Sequence, residues 1–124
     1  MQAAVLPKGF LDRLLAAIDA NDSEAFVSFL TEDARFRFGS APAVVGKDAI
    51  RQAVEDFFAS IESCSHSVSN IWHGENSLVC EGEVCYRKLD GSEVIVPFVD
   101  VLDVCDELIS DYKIYIDPSP LFSS

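Results

Sequence analysis

The chain has 124 residues, 49% of them hydrophobic, and a formal charge of −12. That length suits one domain spanning 1–124, large enough to bury a core without disulfide or metal staples. The charge excludes the basic patch that nucleic acid or an anionic lipid surface requires, no apolar run reaches the ~20 residues that cross a bilayer, and a neutral or cationic small molecule fits better as a partner.

In chain order, residues 1–8 lack the basic start, apolar segment and cleavage site of a signal peptide, which points to the cytoplasm. Phe10, Leu11, Leu14, Leu15 and Ile18 recur at three- and four-residue steps, predicting an amphipathic helix from about Lys8 to Ala20. Asn21-Asp22-Ser23 ends it and caps a short second helix with Phe26, Phe29 and Leu30 inward. Strict alternation over Ala34-Arg35-Phe36-Arg37-Phe38 predicts a short strand, and Gly39 to Gly46 a loop. A third helix follows from about Asp48, with Ile50, Val54, Phe57, Phe58 and Ile61 on one side.

The second half reads as strands: Cys64 to His73, Ser77 to Lys88, Glu93 to Val104 and Leu108 to Ile116. Asp90-Gly91 is a strong hairpin signal, because glycine accepts the positive φ such turns need. Pro118 and Pro120 stop the last strand. The expected architecture is α+β: a curved antiparallel sheet with three N-terminal helices on its concave face. Three helices cannot fill a strongly bent sheet, so a pocket is expected inside. The opposite face, apolar at Ile95, Pro97, Val99 and Val101, calls for a cover, and a second subunit making a homodimer is the usual route.

The four cysteines have no C-x-x-C spacing and sit in or beside apolar strand segments, so they read as buried free thiols in a reducing compartment. No metal site is expected, because His66 and His73 have no close cysteine or carboxylate partner at ligand spacing. No cofactor is called for.

Asp100 carries the chemistry. It stands inside Val94-Ile95-Val96-Pro97-Phe98-Val99-Asp100-Val101-Leu102, where alternation sets Val94, Val96, Phe98, Asp100 and Leu102 on one sheet face. Either that face meets water, or the carboxyl sits on an apolar cavity wall with a raised pKa and can donate or shuttle a proton. Its neighbours depend on hairpin register. A two-residue Asp90-Gly91 turn brings Glu81 and Glu83 to the Asp100 face, whereas a three-residue loop brings Gly82, Val84 and Tyr86. A three-residue turn at Cys105 to Glu107 would pair Tyr112 with Asp100 across the last two strands, where a phenol could hold its proton or bind a substrate oxygen. Trp72 and His66 share strand parity and would line the same cavity. Phe38, Phe58 and Phe98 would make it apolar.

The chain resembles the nuclear transport factor two-like (cystatin-like) superfamily and its SnoaL-like branch, from Phe10 to Phe122. The resemblance rests on Ala20-Asn21-Asp22, Thr31-Glu32-Asp33-Ala34, Gly46-Lys47-Asp48-Ala49-Ile50, Gly82-Glu83-Val84 and Asp90-Gly91, followed by Pro97-Phe98-Val99-Asp100-Val101 and the ending Asp111 to Asp117. That branch includes polyketide cyclases, ketosteroid isomerases and limonene epoxide hydrolases. Asp100 matches the strand aspartate that serves ketosteroid isomerases as an oxyanion-hole donor, a carboxylic acid held neutral by its apolar site. Their first-helix tyrosine is replaced here by Phe10 or Leu11, and their base by about Phe38, so steroid isomerisation is not expected. Ile114 stands where epoxide hydrolases place a second carboxylate, and that activity is not expected either. The resemblance implies a pocket for a neutral organic molecule, serving an isomerase, cyclase or hydratase. The alternative is a non-catalytic ligand-binding or dimerisation domain.

Overall fold

The computed structural model describes residues 9–122. The expected helix start at Lys8 and the reading of residues 1–8 lie outside that range. Helix α1 (Phe10–Asp19) buries Phe10, Leu11, Leu14 and Leu15. Asn21, at φ 56°, then turns the chain, and the Asp22 carboxylate accepts the Ala25 N–H at 3.0 Å to cap α2 (Ser23–Val27). Strand β1 (Leu30–Phe38), the two-residue β2 (Val44–Val45) and helix α3 (Lys47–Ala59) complete the first half. Four long strands follow: β3 (Ile61–His73), β4 (Ser77–Lys88), β5 (Glu93–Cys105) and β6 (Leu108–Ile116). A one-turn helix, α4 (Ser119–Phe122), was not expected from the sequence, nor was β2 inside the predicted loop.

The strands form one curved, unclosed sheet in the order β2-β1-β6-β5-β4-β3. The four long strands pair antiparallel as a meander, while β1 returns to lie parallel to β6. Helices α1 and α3 cover one face. On that face β5 seals Val96, Phe98, Asp100 and Leu102, all 3% exposed or less. The other face carries Ile95 and Tyr115, both more than half exposed. Among the described residues no helix is long and apolar enough to cross a membrane.

Two turns and two bulges decide which side chains share the Asp100 face. The first hairpin has a three-residue loop: Lys88 N–H donates to Ser92 O at 2.8 Å, and Gly91 takes φ 89°. This register puts Cys80 opposite Asp100 and Val84 opposite Val96, so Gly82, Val84 and Tyr86 share the inner face. Glu83 faces outward and is exposed.

The second hairpin differs from expectation. Its turn has two residues, Asp106 and Glu107, both at positive φ, with Cys105 opposite Leu108. A bulge between Asp103 and Val104 then shifts the pairing, setting Tyr112 opposite Leu102 and Ile114 opposite Asp100. Turn and bulge together preserve parity, so Tyr112 remains on the inner face, diagonal to Asp100.

In β3 a bulge between Val68 and Asn70 has the opposite effect. Before it His66 pairs with Val84; after it Trp72 pairs with Val79, on the outer face. Trp72 is consequently 51% exposed, and the parity argument that put it in the cavity with His66 fails at Ser69.

Candidate functional site

Between the helices and the inner sheet face lies a cavity of about 220 Å³. Phe38, Phe58, Tyr86, Phe98, Asp100 and Tyr112 all line it. Trp72 and Glu83 do not; β3's bulge and the first hairpin's register turn them outward. An apolar cavity of about 150 Å³ takes benzene, so this one accommodates about eight to ten non-hydrogen atoms.

Asp100 is 2% exposed. Tyr112 Oη donates to its Oδ2 at 3.4 Å, and Cys80 Sγ lies 3.9 Å from the same oxygen. Burial pushes the carboxyl up to about 7, against a smaller downward pull from His66 and from the bonds with Tyr112 and Cys80. The group therefore exchanges its proton near neutral pH, where either direction of transfer costs least. Burial, followed by the Asp100 charge, raises the Tyr112 phenol well above its ordinary value, so it stays a hydrogen-bond donor. Its ring is wedged between Phe26 and Phe36, with each centroid 5.5 Å away. The same forces lift the Cys80 thiol to about 12.

A second polar group was missed. Asp19, on the last turn of α1, meets His66 of β3: Nδ1 lies 2.6 Å from Asp19 Oδ1, and the His66 backbone N–H donates to Oδ2 at 3.1 Å. Burial acts to raise Asp19, but the ring and backbone bonds from His66 outweigh it and hold the carboxyl below its ordinary range. A carboxylate only accepts, so Nδ1 carries a hydrogen, and in the neutral ring Nε2 is the basic nitrogen. His66 lines the cavity and packs edge-on against Phe98, centroids 5.2 Å apart.

Cys64, two residues before His66 on the same strand face, joins this pair with Sγ 3.7 Å from Asp19 Oδ1. The ligand atoms of Asp19, Cys64 and His66 lie within 4.8 Å of one another. This corrects the expectation that the histidines have no cysteine or carboxylate partner. It also qualifies the picture of four buried thiols: Cys64 and Cys80 are buried, Cys85 is half-buried and Cys105 is exposed. Two clues to the cluster were present in the sequence. The Cys64-x-His66 spacing puts both side chains on one strand face, and Asp19 is an acid at a helix C-terminus, where the dipole disfavours it.

The family model of the SnoaL-like domain matches residues 11–112, and the chain belongs to that family. A search of the curated proteins finds no match. Among solved structures, an NTF2-like protein of unknown function from Burkholderia pseudomallei is 12% identical with a TM-score of 0.82, covering 91% of this chain and 92% of its own. A protein of ketosteroid isomerase-like fold from Catenulispora acidiphila, in complex with trimethylamine, is 15% identical with a TM-score of 0.79, covering 90% of this chain and 86% of its own. A putative SnoaL-like polyketide cyclase from Jannaschia sp. is 15% identical with a TM-score of 0.78, covering 98% of this chain and 94% of its own. Likeness at these identities is a likeness of fold, and activity has to be argued from the site.

Proposed function

We propose that the chain is an enzyme that moves protons on a small, neutral, mostly apolar molecule, in the class of isomerases, cyclases or hydratases. The observation carrying this reading is Asp100: a carboxyl 2% exposed on an aromatic cavity wall, held by Tyr112 and raised to about 7. Asp100 serves as the principal acid–base group, and Tyr112 orients it or binds a substrate oxygen. His66, oriented by Asp19, supplies a second nitrogen that can take a proton. Phe38, Phe58, Tyr86 and Phe98 hold the substrate. The proton transfer itself calls on no cofactor.

The test uses 2-indanone, a neutral ketone of suitable size with exchangeable α-hydrogens. In deuterated buffer near neutrality the protein is expected to accelerate hydrogen–deuterium exchange saturably, as read by NMR. Asp100→Asn is expected to reduce that acceleration by about 100-fold while leaving probe binding within a few-fold. Undiminished exchange in Asp100→Asn removes Asp100 from the chemistry. Binding without acceleration, across cyclic ketones, enones and epoxides of this size, leaves a ligand-binding domain instead.

The proposed assembly is a homodimer through the outer sheet face. Ile95 at 65% and Tyr115 at 56% exposure, beside half-buried Val99 and Val101, support it. Light scattering at micromolar concentration is expected to give twice the chain mass, and Ile95→Lys to halve it. A monomeric wild type would contradict the assembly. Free thiols at Cys64, Cys80, Cys85 and Cys105 support a reducing, cytoplasmic setting.

A further inference from the structure

We infer that Asp19, Cys64 and His66 form a three-donor site for a divalent cation of the zinc class, with its open position facing the cavity. The set combines one thiolate sulfur, one imidazole nitrogen and one carboxylate oxygen, a donor mixture that suits zinc and cobalt better than magnesium or calcium. Cys64 and His66 stand two residues apart on β3, so both side chains leave the same face of one rigid strand, and the last turn of α1 delivers Asp19 across from them.

The spacing is close to what a cation needs. Bonds of about 2.0–2.3 Å in a tetrahedron separate the donor atoms by about 3.3–3.8 Å. Sulfur to carboxylate oxygen is already 3.7 Å, the Nδ1–Oδ1 pair at 2.6 Å has to open by less than an ångström, and a sulfur–nitrogen separation at the 4.8 Å bound on the cluster would have to close by about one. The second carboxylate oxygen is anchored by the His66 backbone N–H at 3.1 Å, which turns Oδ1 toward the other two donors. Cys64 and His66 both line the cavity, so the fourth position opens where a bound molecule or water would sit.

Burial, then the nearby Asp19 carboxylate, keep the metal-free Cys64 thiol protonated, up to about 12. A bound cation reverses that balance, since coordination drives the proton off sulfur. The thiol proton leaves to water, and the hydrogen on Nδ1 is replaced by one on Nε2 as the ring takes its other tautomer, which breaks the Asp19–His66 bond and commits both groups to the metal. The site therefore has two exclusive states, a hydrogen-bonded pair or a coordinated cation. It stands independently of the role given to Asp100: an inert Asp100 leaves cation binding unchanged, and failure to bind leaves the Asp100 chemistry intact.

The experiment is titration of the reduced, chelator-treated full chain with Co²⁺ alone. One equivalent is expected to produce a thiolate-to-cobalt charge-transfer band in the near ultraviolet, with the visible bands of tetrahedral cobalt, both erased by Zn²⁺. Cys64→Ser is expected to remove the charge-transfer band. His66→Gln and Asp19→Asn are each expected to weaken binding about tenfold or more, with folding of every variant verified by circular dichroism. Cys105→Ser, altering the exposed thiol beside Asp106, is expected to change nothing. A band that survives Cys64→Ser, a band lost with Cys105→Ser, or no saturable cobalt binding by the folded chain would each overturn the site.

Discussion

Asp100→Asn is expected to stabilise the protein, and to do so more strongly as the pH rises. The folded carboxyl titrates at about 7 because burial penalises its charged form, whereas an unfolded aspartate titrates near 3.9. Below about pH 4 both states hold the proton and the group has no effect on stability. Between about 4 and 7 the folded state keeps a proton that the unfolded state releases, so stability falls with rising pH, and above 7 the full loss is present. Three pKa units correspond to about 4 kcal/mol. Asparagine keeps the shape and never ionises. Its gain is therefore modest at pH 5 and on the order of 4 kcal/mol at pH 8, the latter raising the melting temperature by roughly 15 °C in a domain of this size. Urea unfolding at the two pH values measures it. A gain equal at pH 5 and pH 8 would mean that Asp100 is ionised in the fold at both. The same substitution removes the proposed chemistry, so one residue carries opposite signs for stability and turnover, as expected where a site holds a group against its own solvation.

Gly82→Ala is expected to cost on the order of 3 kcal/mol and to lower the melting temperature by roughly 10 °C. A Cβ at Gly82 would run into the Ser67 carbonyl oxygen and stand 2.9 Å from Ser67 C and Val68 Cα. Those are backbone atoms of the neighbouring strand and cannot rotate away, so β3 itself must move. The crowding occurs where the bulge between Val68 and Asn70 reverses the faces of β3. Glycine here permits the close approach of two backbones that the bulge creates. Its loss is expected to disturb the hold of Asp19 on His66 as well as stability, visible as a shifted His66 ring resonance. Wild-type stability in Gly82→Ala would show that β3 relaxes without strain.

The legible parts of this molecule are those governed by near neighbours in the chain. The bounds of β4 and β6 follow from alternation and flanking turn residues, and the even face of β5 follows from a period of two. Asp100 was found because a charge inside an apolar run conflicts with its surroundings. The Gly91 turn is legible as a hairpin but not in its register, since Asp90-Gly91 suits a two- or a three-residue loop. Glu83 and Tyr86 exchanged places on that single residue. The position of Trp72 escapes the alternation of side chains because a bulge has no marker in it; its trace is Gly82, on the facing strand.

Composition and local pattern thus set the class of fold, the extent of most strands, the cavity-facing side of β5 and the presence of one carboxyl there. Packing in three dimensions decided what surrounds that carboxyl: Tyr112 reaches it diagonally through a two-residue turn and a bulge, and Asp19 meets His66 across 47 positions of chain. The reason is that hydrophobic periodicity is a property of one segment, whereas register, bulges and the docking of a helix end on a strand are settled between segments. A hydrogen bond between distant residues leaves no periodic trace in either of the segments that make it.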